Sequence, residues 1–449
     1  MEISIRQRLL SGGIWAVLGQ VLRMLLGLIS SALVARLLPV SAFGIYFIAI
    51  SIVDSLALVG QGGFQGAVVR VVAESMGLRN PARAKAAIKL ALLGGSACIA
   101  IVVTLFWFRG RWFAETVFHS PLLGEMTGLI VLWAVIMTFQ QLIAESFRGL
   151  HDIRMATLFG RLLPSFLVCA LFAVQWLIKG SSDLRHVLIL WVLGSGVSVM
   201  VGITALMRRG RDLSRDPTPV LPVRQMAGIA WPIAVSTITL FVVAQADLWI
   251  LAIFRPAREV AAYGAALRLS TLIGAPLLVA NLVLPPLIAE LFAKGDRKAL
   301  EKVLRSTATM AAIPAVLAVL AVVLGHNELV ALIYGPRYVN AGEVLVILSI
   351  GQLVSVLSGS CGFTLTMTRH QTTMMIVSLA SGLVTITLAL ALARADGAVG
   401  VAVAAATGLT LQNIAMTLLV KTRLGVRTYV TWPRMSWLSG IKALSRWRF

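Results

Sequence analysis

The sequence predicts an all-α polytopic membrane protein of about twelve transmembrane helices, arranged as two pseudo-symmetric six-helix bundles around a central cavity. Three observations predict it: long windows without charge, a basic bias on alternate connections, and an echo between the two halves. The chain is 59% hydrophobic and only 13% charged over 449 residues, more apolar surface than a soluble domain of that length hides. No ionisable Asp, Glu, Lys or Arg falls in 90–108, 126–144, 162–178, 269–289, 344–368, 371–393 or 397–420. A bilayer core of about 30 Å needs roughly 20 apolar residues of helix. Within lipid the backbone must satisfy its own hydrogen bonds, so each window reads as helix. Barrel strands would be about half as long and would alternate polar with apolar, which these windows do not.

The expected spans are 11–37, 41–64, 85–107, 122–147, 156–178, 186–207, 226–254, 260–285, 300–324, 341–367, 371–393 and 398–420. The amino terminus, Met1-Glu2-Ile3-Ser4-Ile5-Arg6-Gln7-Arg8, opens like a signal peptide, but the apolar run behind it is too long and lacks a small-residue cleavage site. It is expected to be an uncleaved first helix. The net charge is +21, and its placement sets the orientation. With the amino terminus inside, 26 Lys and Arg fall on the cytoplasmic side, 9 on the other, and four within spans. Both termini are therefore expected in the cytoplasm. The basic balance is topological; no stretch could form a solvated nucleic-acid-binding domain. Cys98, Cys169 and Cys361 sit singly in apolar spans and the five histidines scatter at span ends, so neither metal nor disulfide framework is expected.

The main boundary is the linker 208–225, basic at Arg208-Arg209-Gly210-Arg211 and then rich in Pro217, Pro219 and Pro222. It separates an amino-terminal half, 1–207, from a carboxy-terminal half, 226–420. A basic tail, 421–449, mixes Arg434, Lys442, Arg446 and Arg448 with Trp432, Trp437 and Trp447, a composition suited to an anionic leaflet. The halves echo one another. Arg36-Leu37-Leu38-Pro39 leads into Ala42-Phe43-Gly44, and Phe254-Arg255-Pro256 leads into Ala262-Tyr263-Gly264, an offset of 220. A looser match sets Phe147 against Phe363, an offset of 216. Six spans per half make the repeat parallel, a plan on which transporters rock one half against the other.

Ionisable groups at membrane depth are costly and mark function. Arg23 lies about 12 residues into the first span, roughly 18 Å deep, and Asp54 lies at similar depth in the second. Asp247 and Arg268 stand about 7 and about 8 residues from the outer face in spans seven and eight. Each half thus offers one arginine and one aspartate. Two readings stand: buried ion pairs, or arginines that face the cavity and hold an anionic group with a planar fork that stays charged. In the second reading the aspartates hold the arginines in the empty state or carry a coupling H+ or Na+. Arg161, about five residues into span five, can snorkel to the surface and is a weaker ligand candidate. Pro232, Pro276 and Pro314 interrupt spans and are expected kinks. Gln20, Gln61, Gln140, Gln141, Gln245, Asn281, Gln352 and Asn413 are polar groups at depth that are expected to meet substrate hydroxyls or neighbouring helices.

The string Ala35-Arg36-Leu37-Leu38-Pro39-Val40-Ser41-Ala42-Phe43-Gly44-Ile45-Tyr46 resembles the first-hairpin signature of the Wzx-type polysaccharide flippases. These belong to the multidrug, oligosaccharidyl-lipid and polysaccharide exporter superfamily. Asp247-Leu248-Trp249-Ile250-Leu251 with Ala262-Tyr263-Gly264 is similar to the second-half signature of that family. The resemblance covers about 10–425. It implies export of an undecaprenyl-diphosphate-linked oligosaccharide to the periplasmic leaflet for exopolysaccharide or O-antigen assembly. It also implies that spans one, two, seven and eight line the cavity, with glycosyltransferases and a polymerase as pathway partners. The relative that flips lipid II has fourteen helices, and no thirteenth or fourteenth is legible here. No G-x-x-x-x-G-K-[ST] string occurs, so no P-loop nucleotide site is expected. A multidrug or cation exporter is the alternative within the superfamily; a membrane glycosyltransferase or polymerase is the alternative outside it. The outer connections 108–121 and 325–340 are too short for a catalytic domain, and Glu115, Glu125, Glu328 and Glu343 are scattered. No enzyme activity is expected.

Overall fold

The computed structural model describes residues 5–213 and 222–430, with side chains for 17–211 and 222–430. The first four residues, 214–221 of the expected linker and 431–449 of the expected tail lie outside the described residues. The described chain is helical, without strands. The helices that account for the spans are α1 Ile5–Leu37, α2 Val40–Gly60, α3 Pro81–Thr116, α4 Thr127–Gly149, α5 Ile153–Lys179, α6 Leu184–Leu213, α7 Val223–Phe254, α8 Ala257–Ile273, α9 Arg297–Tyr334 and α10 Ala341–Ser358; shorter helices, Phe64–Gly77 among them, lie between these. The run Gln371–Leu424 breaks at Gly397 (φ 56°) into α11 and α12.

Among the described residues, ten helical runs are long and apolar enough to cross a membrane. Two features reconcile that number with the twelve expected. The longest run is two antiparallel spans joined at Gly397. The expected span 260–285 is α8, a short helix Ala275–Ala280 and part of a further helix, Leu284–Ala293, each too short alone. The chain is thus a multi-pass membrane protein.

It packs as two compact units: Leu18–Gln245, and Ala246–Phe449 with Met1–Val17. In the first, the core joins Phe64, Val68 and Val72 to Ala87, Leu142, Phe147 and Phe159, and it includes Met226 and Ala230 of α7. In the second, one cluster joins Leu284, Ile288, Leu300, Leu304 and Leu365, and another joins Ile273, Leu277, Ala311, Ala315 and Val356.

The repeat extends to the helix breaks. After α2 the backbone turns at 61–63, with Gln61 N–H donating to Ala57 O and Gly62 N–H to Val59 O. After Ala275–Ala280 it turns at 281–283, with Asn281 N–H donating to Leu277 O and Leu282 N–H to Val279 O. Every pair keeps the larger of the two offsets read from the sequence, so Gln61 answers to Asn281 and Gly62 to Leu282. The chemistry differs. In the first half Gly62 and Gly63 take left-handed backbone (φ 54° and 78°). In the second, Pro285 and Pro286 lack the N–H groups that would bond the carbonyls of Asn281 and Leu282. The next turn repeats at the smaller offset: Arg79 (φ 53°) precedes the cap Asn80, and Gly295 (φ 71°) precedes the cap Asp296. Each cap side chain accepts a backbone N–H at 2.9 Å, from Arg83 and from Ala299. The looser match needs correction by two residues. Asp152 N–H bonds Phe147 O and His370 N–H bonds Leu365 O, so Phe147 corresponds to Leu365, not to Phe363.

The first of these breaks leads to a testable consequence. A Cβ on Gly63 would lie 1.9 Å from Ala230 O, on a backbone with φ 78°. Gly63→Ala therefore forces helix α7 away and adds strain of about 1–3 kcal/mol. Gly27→Ala, where a Cβ meets nothing within 4 Å, is the control. In thermal melts of purified protein, Gly63→Ala is expected well below the parent and Gly27→Ala beside it. Equal melting of the two variants would contradict this account.

Candidate functional site

Arg23 and Asp54 stand equally far from the corner where α1 ends at Leu37 and α2 starts at Val40. The distance is about 14 residues along each helix, or roughly 21 Å at 1.5 Å per residue, as the sequence suggests. Both are half-buried, and Arg23 Nε donates to Gln20 Oε1 at 3.2 Å.

Arg161 belongs to the same unit. Helix α5 carries a π-helical turn at Leu158–Leu162. Its cause is local: Pro164 has no N–H for the carbonyl of Gly160. Gln140 of α4, buried, fills the gap by donating Nε2–H to Gly160 O at 2.8 Å. Gln140 is therefore a structural inter-helix ligand. Below the turn, α5 touches α1 closely: a Cβ on Gly19 would lie 2.3 Å from Thr157 Cγ2 and 3.6 Å from Leu162 Cδ1. Helices α1 and α5 run in the same direction. Arg23 is four residues past Gly19 and Arg161 four past Thr157, so the two guanidinium-bearing residues share a level. Arg161 is exposed and also attracts the Glu145 carboxylate, which pairs with Arg148 at 2.7 Å.

In the other unit the expected pairing is replaced. Asp247 is 9% exposed and accepts from Tyr263 Oη–H at 2.5 Å and from Leu248 N–H at 2.7 Å. Among the described residues it makes no ion pair with Arg268. The reason is depth. Asp247 and Tyr263 stand about 7 and about 6 residues from the corner between α7 and α8, whereas Arg268 stands about 11 residues from it, deeper at 1.5 Å per residue. Helix α8 starts at Ala257, three residues before the expected 260, which moves Arg268 inward past Asp247. Arg268 is exposed at that depth. The role of Tyr263 as the partner of Asp247 is not marked by charge; its depth, counted from Pro256, is the signal that finds it.

The ends of α7 and α8 are clamped to the α11–α12 turn. Arg255 Nε lies 3.4 Å from Glu259 Oε2, which accepts Ala398 N–H at 3.1 Å. Beside this clamp is an open cavity of about 560 Å³, lined by Arg258, His326, Asn340, Glu343 and Asp396 among others. In the amino-terminal unit, Trp191 Nε1–H donates to Tyr46 Oη at 3.0 Å and the Trp133 and Trp191 rings stack 4.9 Å apart.

A family model described as polysaccharide biosynthesis protein matches residues 9–292, well over half of the chain. The chain belongs to this polysaccharide biosynthesis protein family. A second model, MatE, matches residues 232–391. No match was found among curated proteins. Among solved structures, the lipid II flippase MurJ in an inward closed conformation superposes with TM-score 0.72 at 14% identity, covering 96% of this chain and 91% of that one. An inward-facing multidrug resistance MATE family transporter of the MOP superfamily gives 0.71 at 16% identity, covering 90% and 94%. A MOP superfamily transporter from Pyrococcus furiosus, described as having a binding pocket of reverse polarity, gives 0.62 at 16% identity, covering 93% and 96%. This member of the polysaccharide biosynthesis family thus has the fold of the MOP transporters.

Proposed function

We propose that this protein moves an undecaprenyl-diphosphate-linked oligosaccharide repeat unit from the cytoplasmic to the periplasmic leaflet of a bacterial inner membrane. The two six-helix halves, 1–207 and 226–420, alternate access to the substrate, with 208–225 as the linker and both termini in the cytoplasm; of the expected tail 421–449, residues up to 424 continue α12 and 425–430 pack on the bundle. The observation that carries the reading is Arg23, held at membrane depth, level with Asp54 and with Arg161. Guanidinium groups suit a diphosphate, whose charge offsets their desolvation during passage. Arg268 is the corresponding cation of the second half. Asp54 is the charge partner of Arg23, and Asp247 carries the coupling H+ or Na+. Glycosyltransferases that build the repeat unit and a polymerase that consumes it are the pathway partners.

The test is a deletion strain. Lipid-linked repeat units are expected to accumulate on the cytoplasmic side, and plasmid-borne wild type should clear them. Normal extension of these intermediates in the periplasm would refute the substrate. The orientation has its own test, motivated by the basic bias of 26 against 9. Reporter fusions after residues 215 and 449 should both read cytoplasmic; a periplasmic signal from either would sink the topology.

The MatE match over 232–391 favours a second reading, export of a drug or organic cation. A cationic cargo needs uncompensated acid at depth. Here Arg23 and Arg268 match Asp54 and Asp247 in number, and Asp247, which makes no ion pair among the described residues, is closed off against Tyr263 while Arg268 is exposed, which favours the anionic cargo. Drug susceptibility unchanged by deletion separates the two.

A further inference from the structure

The chain does not leave the bundle where α12 ends. Helix α12 stops at Leu424, and Gly425 turns with φ 68°. Residues 426–430 then run back beside α9 and α10. Arg427 N–H donates to Glu301 Oε2 at 3.3 Å, and the Arg305 guanidinium lies 5.8 Å over the Tyr429 ring. Val426, 1% exposed, joins the cluster of Leu300 and Leu304, and Val430 packs against the cluster of Ile273, Ala311 and Val356. Glu301, Arg305 and Ala311 mark successively deeper levels along α9 from its start at Arg297. The segment therefore climbs to about 20 Å from that end of the bundle, since Ala311 is about 14 residues along a helix that rises 1.5 Å per residue.

There it meets the break in α10. Gly359 has φ 71°, and the following helix, Cys361–Met367, starts out of line. Cys361 N–H bonds Gly359 O at 2.9 Å, so it no longer serves Leu357 O, its partner in an unbroken helix. The returning segment supplies the missing donors. Val430 N–H donates to Leu357 O at 3.0 Å, and Thr428 Oγ1–H donates to Ser358 O at 2.8 Å. A Cβ at position 359 would lie 2.5 Å from Thr428 O, so the absent side chain is where the segment lies.

We infer that residues 425–430 are a conformational strap, docked when α10 is broken and released when α10 is continuous. An unserved carbonyl at membrane depth costs several kcal/mol. With the strap out, Leu357 O is satisfied only if Cys361 N–H returns to it. With α10 straight, the strap loses that acceptor and the space beside Gly359. Glycine makes the change feasible, because it takes left-handed and helical φ about equally well. The strap thus ties the carboxy-terminal end of the chain to the bending of α10, whatever the cargo.

The test uses the purified full chain in detergent, with its three native cysteines replaced by Ala, and a water-soluble maleimide. Val426→Cys reports the strap, and Arg423→Cys, exposed at the end of α12, is the reference. Val426→Cys should react at least tenfold more slowly than Arg423→Cys, yet go to completion as docked and released states exchange. Gly359→Ala, which crowds Thr428 O, should accelerate labelling at 426 at least fivefold. Thr428→Val, nearly isosteric and without the hydroxyl donor, should accelerate it also and carries the test should Gly359→Ala not fold. Labelling at 426 as fast as at 423 would mean no docked strap. Labelling that never proceeds, or that neither variant changes, would mean a fixed tail uncoupled from α10. Either result overturns the inference.

Discussion

Arg23→Ala is expected to abolish polysaccharide export while the protein stays in the membrane at its normal level. The cargo carries two phosphates, and the cation that meets them must already be placed where water is excluded. Removing one partner of a desolvated charge contact costs about 2–5 kcal/mol, which is roughly a 30-fold loss or more. Arg161 does not replace it, because it is exposed and its charge is shared with Glu145. The equal depth of Asp54 allows a different account, in which Arg23 only neutralises that carboxylate. The double variant Arg23→Ala with Asp54→Ala separates them. If Arg23 is structural, the single change strands a half-buried acid at depth and the double change restores export. If Arg23 holds the diphosphate, both variants are inactive with normal protein levels. Arg23→Lys is expected to recover only part of the activity, since an ammonium lacks the planar fork. Export restored in the double variant would refute a substrate role at this position.

The parts of the molecule that were legible in the sequence are those where one physical demand dominates. Lipid requires uninterrupted apolar helix, so the spans stand out by composition alone. The levels of Arg23 and Asp54 follow from counting along two helices whose shared corner, Leu38-Pro39, is plain. The breaks in α2 and beside α8 were not legible as a pair. Gly62-Gly63 works by permitting left-handed backbone and Pro285-Pro286 by removing donors, so the same geometry leaves no common residues to align. The Asp247–Tyr263 contact was obscured by a start of α8 misplaced by three residues, nearly one turn, enough to exchange one partner for another. Val426–Val430 was hidden because its composition differs little from a solvated tail. Its burial depends on a break in α10 that a lone glycine marks only weakly.

Asp247 and Tyr263 give the second large effect. This acid sits at membrane depth with no cationic partner among the described residues, and one phenol and one backbone N–H bond it. A group so placed either serves the fold through Tyr263 or exchanges a proton or Na+ during the cycle. The two roles respond differently to a near-isosteric change. Asp247→Asn keeps an acceptor for the Tyr263 hydroxyl, so the melting temperature should stay within a few degrees of the parent. Transport driven by an imposed ion gradient in proteoliposomes should nevertheless be lost, because the amide cannot take up the ion. Tyr263→Phe should show the reverse pattern. It keeps the acid, so gradient-driven transport persists, but it removes a hydrogen bond to a charged group, worth about 1.5–3 kcal/mol of stability. Asp247→Ala should be the worst of the three, since it leaves the fully buried Tyr263 hydroxyl without its acceptor. Pairing it with Tyr263→Phe should recover stability without recovering coupling. Full gradient-driven transport by Asp247→Asn would confine this residue to the fold and place the coupling group elsewhere, with Asp54 next to be tested by the same substitution.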